Sequence, residues 1–208
     1  MRRVEFVAFY LGLPVVLALW MPHRALFPVL LAMTAAGLWL LARTEGFDWR
    51  ALRRGRGGID WPLVAGFALA VAVLSAGVVE ALVPGKFLAL VRARPAFFAV
   101  IVVLYPILSA LPQELLFRVL YFRRYGGVLP QGAAGLALNG AVFSLAHLMF
   151  WSWVVSAMTF AGGVIFAWAY ERRGSFPLAV TLHAVAGWIL FGMGLGAFFY
   201  LGNAQRPF

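Results

Sequence analysis

The chain contains no cysteine. Disulfides, thiolate metal ligands and a cysteine nucleophile are therefore excluded. Lysine occurs once, at Lys86, and acids are scarce: Glu5, Glu45, Asp48, Asp60, Glu80, Glu114 and Glu171. Charged residues make up 12% of the 208 residues, whereas a soluble domain carries about 25%. No G-x-S-x-G motif or serine–histidine pair is present, which disfavours a rhomboid-like serine protease. Internal repeats and low-complexity tails are also missing, and no segment is left over for a separate soluble domain.

What fills the chain is apolar sequence, 64% hydrophobic with a mean hydropathy of +0.92. Runs of 18 or more nearly uncharged residues recur throughout, the signature of spanning helices. The expected fold is an all-α polytopic membrane protein, a bundle of about seven to eight transmembrane helices forming a single membrane domain over residues 1–208. Apolar segments are expected at 4–21, 25–42, 61–83, 95–111, 129–150, 153–170 and 176–201, with a further helix carrying Glu114 and running to Tyr125. Pro106 is expected to kink the fourth, and Pro112 to kink it again or start the Glu114 helix. Met1-Arg2-Arg3 ahead of an apolar run has the charge layout of a signal peptide, but no small-residue cleavage site follows, so a retained first helix is expected.

The formal charge of +10 would suggest nucleic acid in a soluble protein. Here the arginines cluster between apolar runs, where topology signals belong, so no nucleic-acid partner is expected. Residues 43–60 form a basic linker, with Gly55-Arg56-Gly57-Gly58 reading as a flexible loop. Phe47, Trp49 and Leu52 could instead lay a short amphipathic helix on anionic headgroups. With the N-terminus cytoplasmic, twelve of the seventeen basic residues fall inside, which satisfies the positive-inside rule. The linker is then cytoplasmic, and the Glu114 region is expected to open to the cytoplasm. The membrane is expected to be the bacterial inner (plasma) membrane, with the lipid bilayer and a membrane-associated peptide or protein as partners.

Gln113-Glu114-Leu115-Leu116-Phe117-Arg118 interrupts an apolar stretch. A carboxylate at bilayer depth costs roughly 2.5–3.5 kcal/mol on insertion scales, so it needs a partner or a job. Arg118 lies one helical turn beyond Glu114 and can pair with it. His147 and His183 are polar outliers in two later apolar segments. Each alone reads more simply as a hydrogen-bonded core histidine. One acid and two imidazoles meeting in a dry cavity could take a proton from water, or could ligate zinc, which accepts such a set with one position open. The H-E-x-x-H spacing is absent, so any metal site must be assembled in space. Intramembrane acid–histidine chains also serve proton relays and transporters.

In these residues the chain resembles the CPBP family of intramembrane proteases, which comprises the CAAX prenyl endopeptidases of the Ras-converting-enzyme type and the bacterial Abi or bacteriocin-processing proteins. The family's E-E-x-x-x-R motif reads Gln113-Glu114-Leu115-Leu116-Phe117-Arg118. Its F-x-x-x-H motif is matched by Phe143 and His147, and its H-x-x-x-N/D motif by His183 with Gly187 last. The tract Ala169-Tyr170-Glu171-Arg172-Arg173-Gly174-Ser175-Phe176-Pro177 is also similar, and the protease-like core spans residues 95–190. The resemblance implies an endopeptidase acting on a membrane-associated peptide or protein tail. Glu114 would be the base, His147 its partner in water activation, and His183 an oxyanion stabiliser. Gln113 and Arg118 would support the site. The cofactor is either none or a divalent metal such as zinc, held by Glu114, His147 and His183. Two positions depart from the family pattern. Gln113 replaces a glutamate, and Glu114 points roughly 100° away from it around the helix. Gly187 removes an oxyanion donor, for which Asn139, two turns before His147, is a candidate replacement. A catalytically degenerate member acting as a binding, immunity or maturation protein is the alternative.

Overall fold

The computed structural model describes residues 1–53, 55 and 58–204. Among these the regular structure is helical. Six helices are long and apolar enough to cross a membrane: α1 (Arg2–Trp20), α3 (Trp61–Leu82), α4 (Pro95–Val128), α5 (Gly132–Phe150), α6 (Trp153–Glu171) and α7 (Phe176–Met193). A shorter apolar helix, α2 (Leu26–Ala42), completes the series. The protein is an all-α integral membrane protein. Exposed Leu69, Val73, Leu74, Val100 and Val103 face outward, as lipid-facing positions should.

The Glu114 helix does not start anew at Pro112. It continues the fourth segment as one 34-residue helix, about 51 Å long at 1.5 Å per residue, well beyond a hydrocarbon core of about 30 Å. Pro106 and Pro112 are absorbed by wide, i→i+5 turns over Pro106–Ala110 and Leu115–Leu120. Such turns and missing N–H groups leave carbonyls without helical donors, and other helices supply them. Pro106 cannot donate to Val102, and the Trp188 indole on α7 donates to that carbonyl at 3.0 Å. Tyr10 on α1 donates to the Leu116 carbonyl at 2.6 Å, and Asn139 on α5 to that of Phe117 at 2.7 Å. The irregular helix is thereby pinned from three sides.

Helices α5 and α6 approach closely at two glycines. A Cβ on Gly163 would lie 2.9 Å from the Gly140 Cα, and one on Gly140 would lie 2.9 Å from the Phe160 carbonyl oxygen. Small residues at such crossings let backbones touch. Ser152 and Ser175 cap α6 and α7 by accepting from Val155 and Leu178.

The two ends of the bundle differ. At one end, Arg124 pairs with Glu5, Arg123 with Glu171 at 3.3 Å, and Arg173 with Asp60 at 3.0 Å. Beneath them Phe6, Tyr10, Tyr121 and Tyr125 pack edge to face and close that end. The linker folds over the same end. Trp49–Arg53 forms a short helix, and Phe47 and Leu52 turn inward onto the core instead of lying on headgroups, while Trp49 stays exposed. The expected flexible loop falls partly on Arg56 and Gly57, outside the described residues; Gly55 sits so close to Ser175 that a side chain there would collide with it.

Candidate active site

Wide turns over Leu115–Leu120 and the i, i+4 spacing put Glu114 and Arg118 on one inward face of α4, both without solvent exposure. The Glu114 Oε1 is 2.8 Å from Nδ1 of His183, which α7 carries about two turns from its start. Glu114 Oε2 lies 3.0 Å from Arg118 Nε, an ion-pair contact without hydrogen-bond alignment. Nδ1 is therefore the donor toward the carboxylate, and the other ring nitrogen, Nε2, is left free. His183 stacks on Phe166, with ring centroids 4.8 Å apart, and meets Phe143 edge-on at 5.6 Å.

Arg118 is held as firmly as Glu114. Its Nη1 donates to Asn139 Oδ1 at 2.5 Å and to the Phe117 carbonyl at 3.2 Å. Its guanidinium carbon lies 4.8 Å from the Phe143 ring centre and 5.7 Å from that of Phe166. The Asn139 amide accepts from Arg118 and donates to Phe117, so both of its ends are engaged. Asn139 anchors the arginine, with its oxygen and one of its two N–H groups engaged, and it does not line the cavity.

A cavity of about 1110 Å³ reaches this cluster from the end opposite the arginine-rich one. Met21, Leu26, Lys86, Arg94, Phe199 and Tyr200 line its outer part, and Gln113, Phe143, His147, Phe166, His183 and Gly187 its inner part. The walls are overwhelmingly apolar. This corrects the expectation from charge counting: the site opens away from the arginine-rich end, because the aromatic cluster around Tyr10 fills the bundle on that side.

Of the residues singled out from the sequence, His183 touches Glu114 directly. His147 lies near the end of α5 and lines the cavity; its Nδ1 is 2.8 Å from the Phe143 carbonyl, so Nδ1 donates there and leaves Nε2 free. Gln113 lines the cavity while Glu114 does not. Its Nε2 donates to Ser109 Oγ at 2.9 Å, and its Oε1 is buried without a protein partner. Among the described residues, no three His, Asp or Glu side chains gather as a metal-ligand set. Both Glu114 oxygens and His183 Nδ1 point at protein partners, so the proposed zinc ligands do not fit an ion in this arrangement.

Sequence reasoning missed Tyr105 and Trp188. Tyr105 lines the cavity edge-on to His183, with centroids 6.0 Å apart, and packs into the space above Gly187. Their signal was Pro106: an X-Pro bond inside a buried helix frees a carbonyl one turn back, and that carbonyl requires a donor from another helix.

These features define a class, an integral membrane protein with an acid–histidine–arginine cluster at the base of an apolar cavity within its helices. Residues 94–189 match the family model described as type II CAAX prenyl endopeptidase Rce1-like, so this core of the chain is similar to that family. All three motif segments lie inside the matched range. No curated protein and no solved structure matches the chain.

Proposed function

We propose that the protein is an intramembrane endopeptidase that hydrolyses a peptide bond in a membrane-associated peptide or protein tail, with water activated by the Glu114–His183 pair. The observation that carries this reading is the 2.8 Å contact between Glu114 Oε1 and His183 Nδ1 at the base of the cavity. A carboxylate behind Nδ1 fixes the tautomer, and stabilises the imidazolium that forms when Nε2 takes a proton. As the water oxygen bonds to the scissile carbonyl carbon, its proton passes to Nε2 of His183. The imidazolium then gives that proton to the departing amine as the C–N bond breaks. His147, with a free Nε2 on the same cavity, helps to hold the water. Glu114 thus acts through His183, since the carboxylate itself is enclosed. Arg118 sets a positive charge beside that carboxylate, and Asn139 keeps Arg118 in place. No step requires a metal.

The apolar walls suit a hydrophobic segment or a lipid-bearing tail. We place the arginine-rich end at the cytoplasmic face of a bacterial plasma membrane, which directs the mouth of the cavity to the opposite face. A second reading, a binder without hydrolysis, is favoured by Gln113 standing where the cavity-facing motif residue would be a carboxylate. Purified protein in nanodiscs, offered internally quenched peptides with and without a farnesylated C-terminal cysteine, separates the two. A protease cleaves at least one and loses that cleavage in Glu114→Gln; binding of both peptides with no cleavage by the wild type supports the binder.

A further inference from the structure

We propose that the Tyr105 hydroxyl is the hydrogen-bond donor to the oxygen of the scissile carbonyl, supplying the group that Gly187 lacks. The inference rests on the endopeptidase reading above. Gly187 is buried one turn beyond His183 on α7, and a Cβ there would run into Cε1 and Cζ of Tyr105 and lie 2.8 Å from its hydroxyl oxygen. The phenol therefore occupies the volume that a side chain at position 187 would fill. It reaches that volume from α4, edge-on to the His183 ring, and both rings line the cavity. A donor placed there faces the same bound carbonyl that His183 serves with water.

Other polar groups are less suited. Asn139 is enclosed beside Arg118 and does not line the cavity, and Thr159 donates to the Val155 carbonyl at 2.7 Å. On the same helix Gln113 Nε2 donates to Ser109 Oγ at 2.9 Å, and both residues line the cavity together with Tyr105.

During attack the carbonyl π pair moves onto oxygen and the phenolic O–H donates to that oxyanion without giving up its proton. Collapse returns the pair to the carbonyl as the amine departs with the proton from His183. Donors of this kind are worth on the order of 10²-fold in kcat.

The test uses the full chain in nanodiscs with the quenched peptides. Tyr105→Phe keeps the ring that packs on Gly187, and should lower kcat about 10²-fold with KM within about twofold of wild type. Tyr105→Ala opens the space above Gly187, and adding Gly187→Asn should then recover roughly tenfold of the lost rate by restoring a donor from α7. Wild-type kcat in Tyr105→Phe, or no recovery in the double variant, overturns the role of Tyr105. If Glu114→Gln abolishes cleavage while Tyr105→Phe does not, only this inference falls; if the wild type cleaves neither peptide, the endopeptidase reading falls and takes it along.

Discussion

His183 Nδ1 lies 2.8 Å from Oε1 of Glu114, although 69 residues separate the two along the chain and neither is open to solvent beyond a trace. An imidazole that donates to this carboxylate through Nδ1 is fixed in orientation, and its opposite nitrogen is left for the cavity that the ring lines. Most of the expected behaviour of the protein follows from that contact and from what holds its two members.

Glu114→Gln keeps the shape of the side chain but removes the charge that stabilises an imidazolium. Cleavage of a quenched peptide should fall by about 10³–10⁴-fold, the scale seen when an orienting carboxylate becomes an amide in a hydrolase. Circular dichroism should still report a helical protein. Full-rate cleavage by this variant would show that His183 works without the carboxylate.

Gln113→Ala removes one neutral hydrogen bond, to Ser109, and no charge. A single such bond is worth about 0.5–1.5 kcal/mol, so the rate should drop by roughly tenfold or less. A loss as large as that of Glu114→Gln, measured in the same assay, would make Gln113 the more important member of the adjacent pair.

Arg118 should matter for stability at least as much as for rate. Arg118→Met strands the Glu114 charge in a closed interior, which costs about 3–5 kcal/mol. Arg118→Lys keeps a positive charge but cannot reach Glu114, Asn139 and the Phe117 carbonyl together from between Phe143 and Phe166. It should be destabilised by about 1–3 kcal/mol. Unfolding in mixed detergent micelles measures both, and a lysine variant as stable as wild type would refute the geometric argument.

Gly163→Val inserts a branched side chain where even a Cβ would sit 2.9 Å from the Gly140 Cα. The α5–α6 crossing must open, and Phe143 and Phe166, which flank His183 and Arg118, move with it. Overpacking of this kind typically costs 1–3 kcal/mol. Thermal unfolding should register the loss together with reduced cleavage; a variant unchanged in both would mean that the crossing is not rigid.

The absence of cysteine makes orientation directly measurable. Gly85 and Gly127 have open space where a Cβ would be placed, and lie at opposite ends of the bundle. In intact cells a membrane-impermeant maleimide should label Gly85→Cys but leave Gly127→Cys unlabelled until the membrane is permeabilised. The reverse pattern would turn the arginine-rich end outward and bring the cavity mouth to the cytoplasm.

Composition and run lengths were enough to read an all-α membrane bundle, because a backbone in lipid must satisfy its own hydrogen bonds and spanning helices leave unmistakable apolar runs. The polar outliers Glu114, Arg118, His147 and His183 were legible for the same reason: each is costly at bilayer depth and stands out against its surroundings. The i, i+4 spacing also announced the Glu114–Arg118 pair, a relation within one helix. Charge counting set one end apart but could not reveal where the space lies. That depends on how Phe6, Tyr10, Tyr121 and Tyr125 fill one half of the interior.

Local pattern therefore determined which segments span the membrane and which side chains need a reason to be there. Tertiary packing alone decided that His183 is the imidazole in contact with Glu114, that Asn139 holds Arg118, and that Tyr105 fills the gap at Gly187. Helical periodicity relates residues a few positions apart on one cylinder, whereas these pairings depend on the rotation and depth of separate helices. Those are fixed by close contacts such as Gly140 against Gly163, and by stray carbonyls such as that of Val102 finding the Trp188 indole.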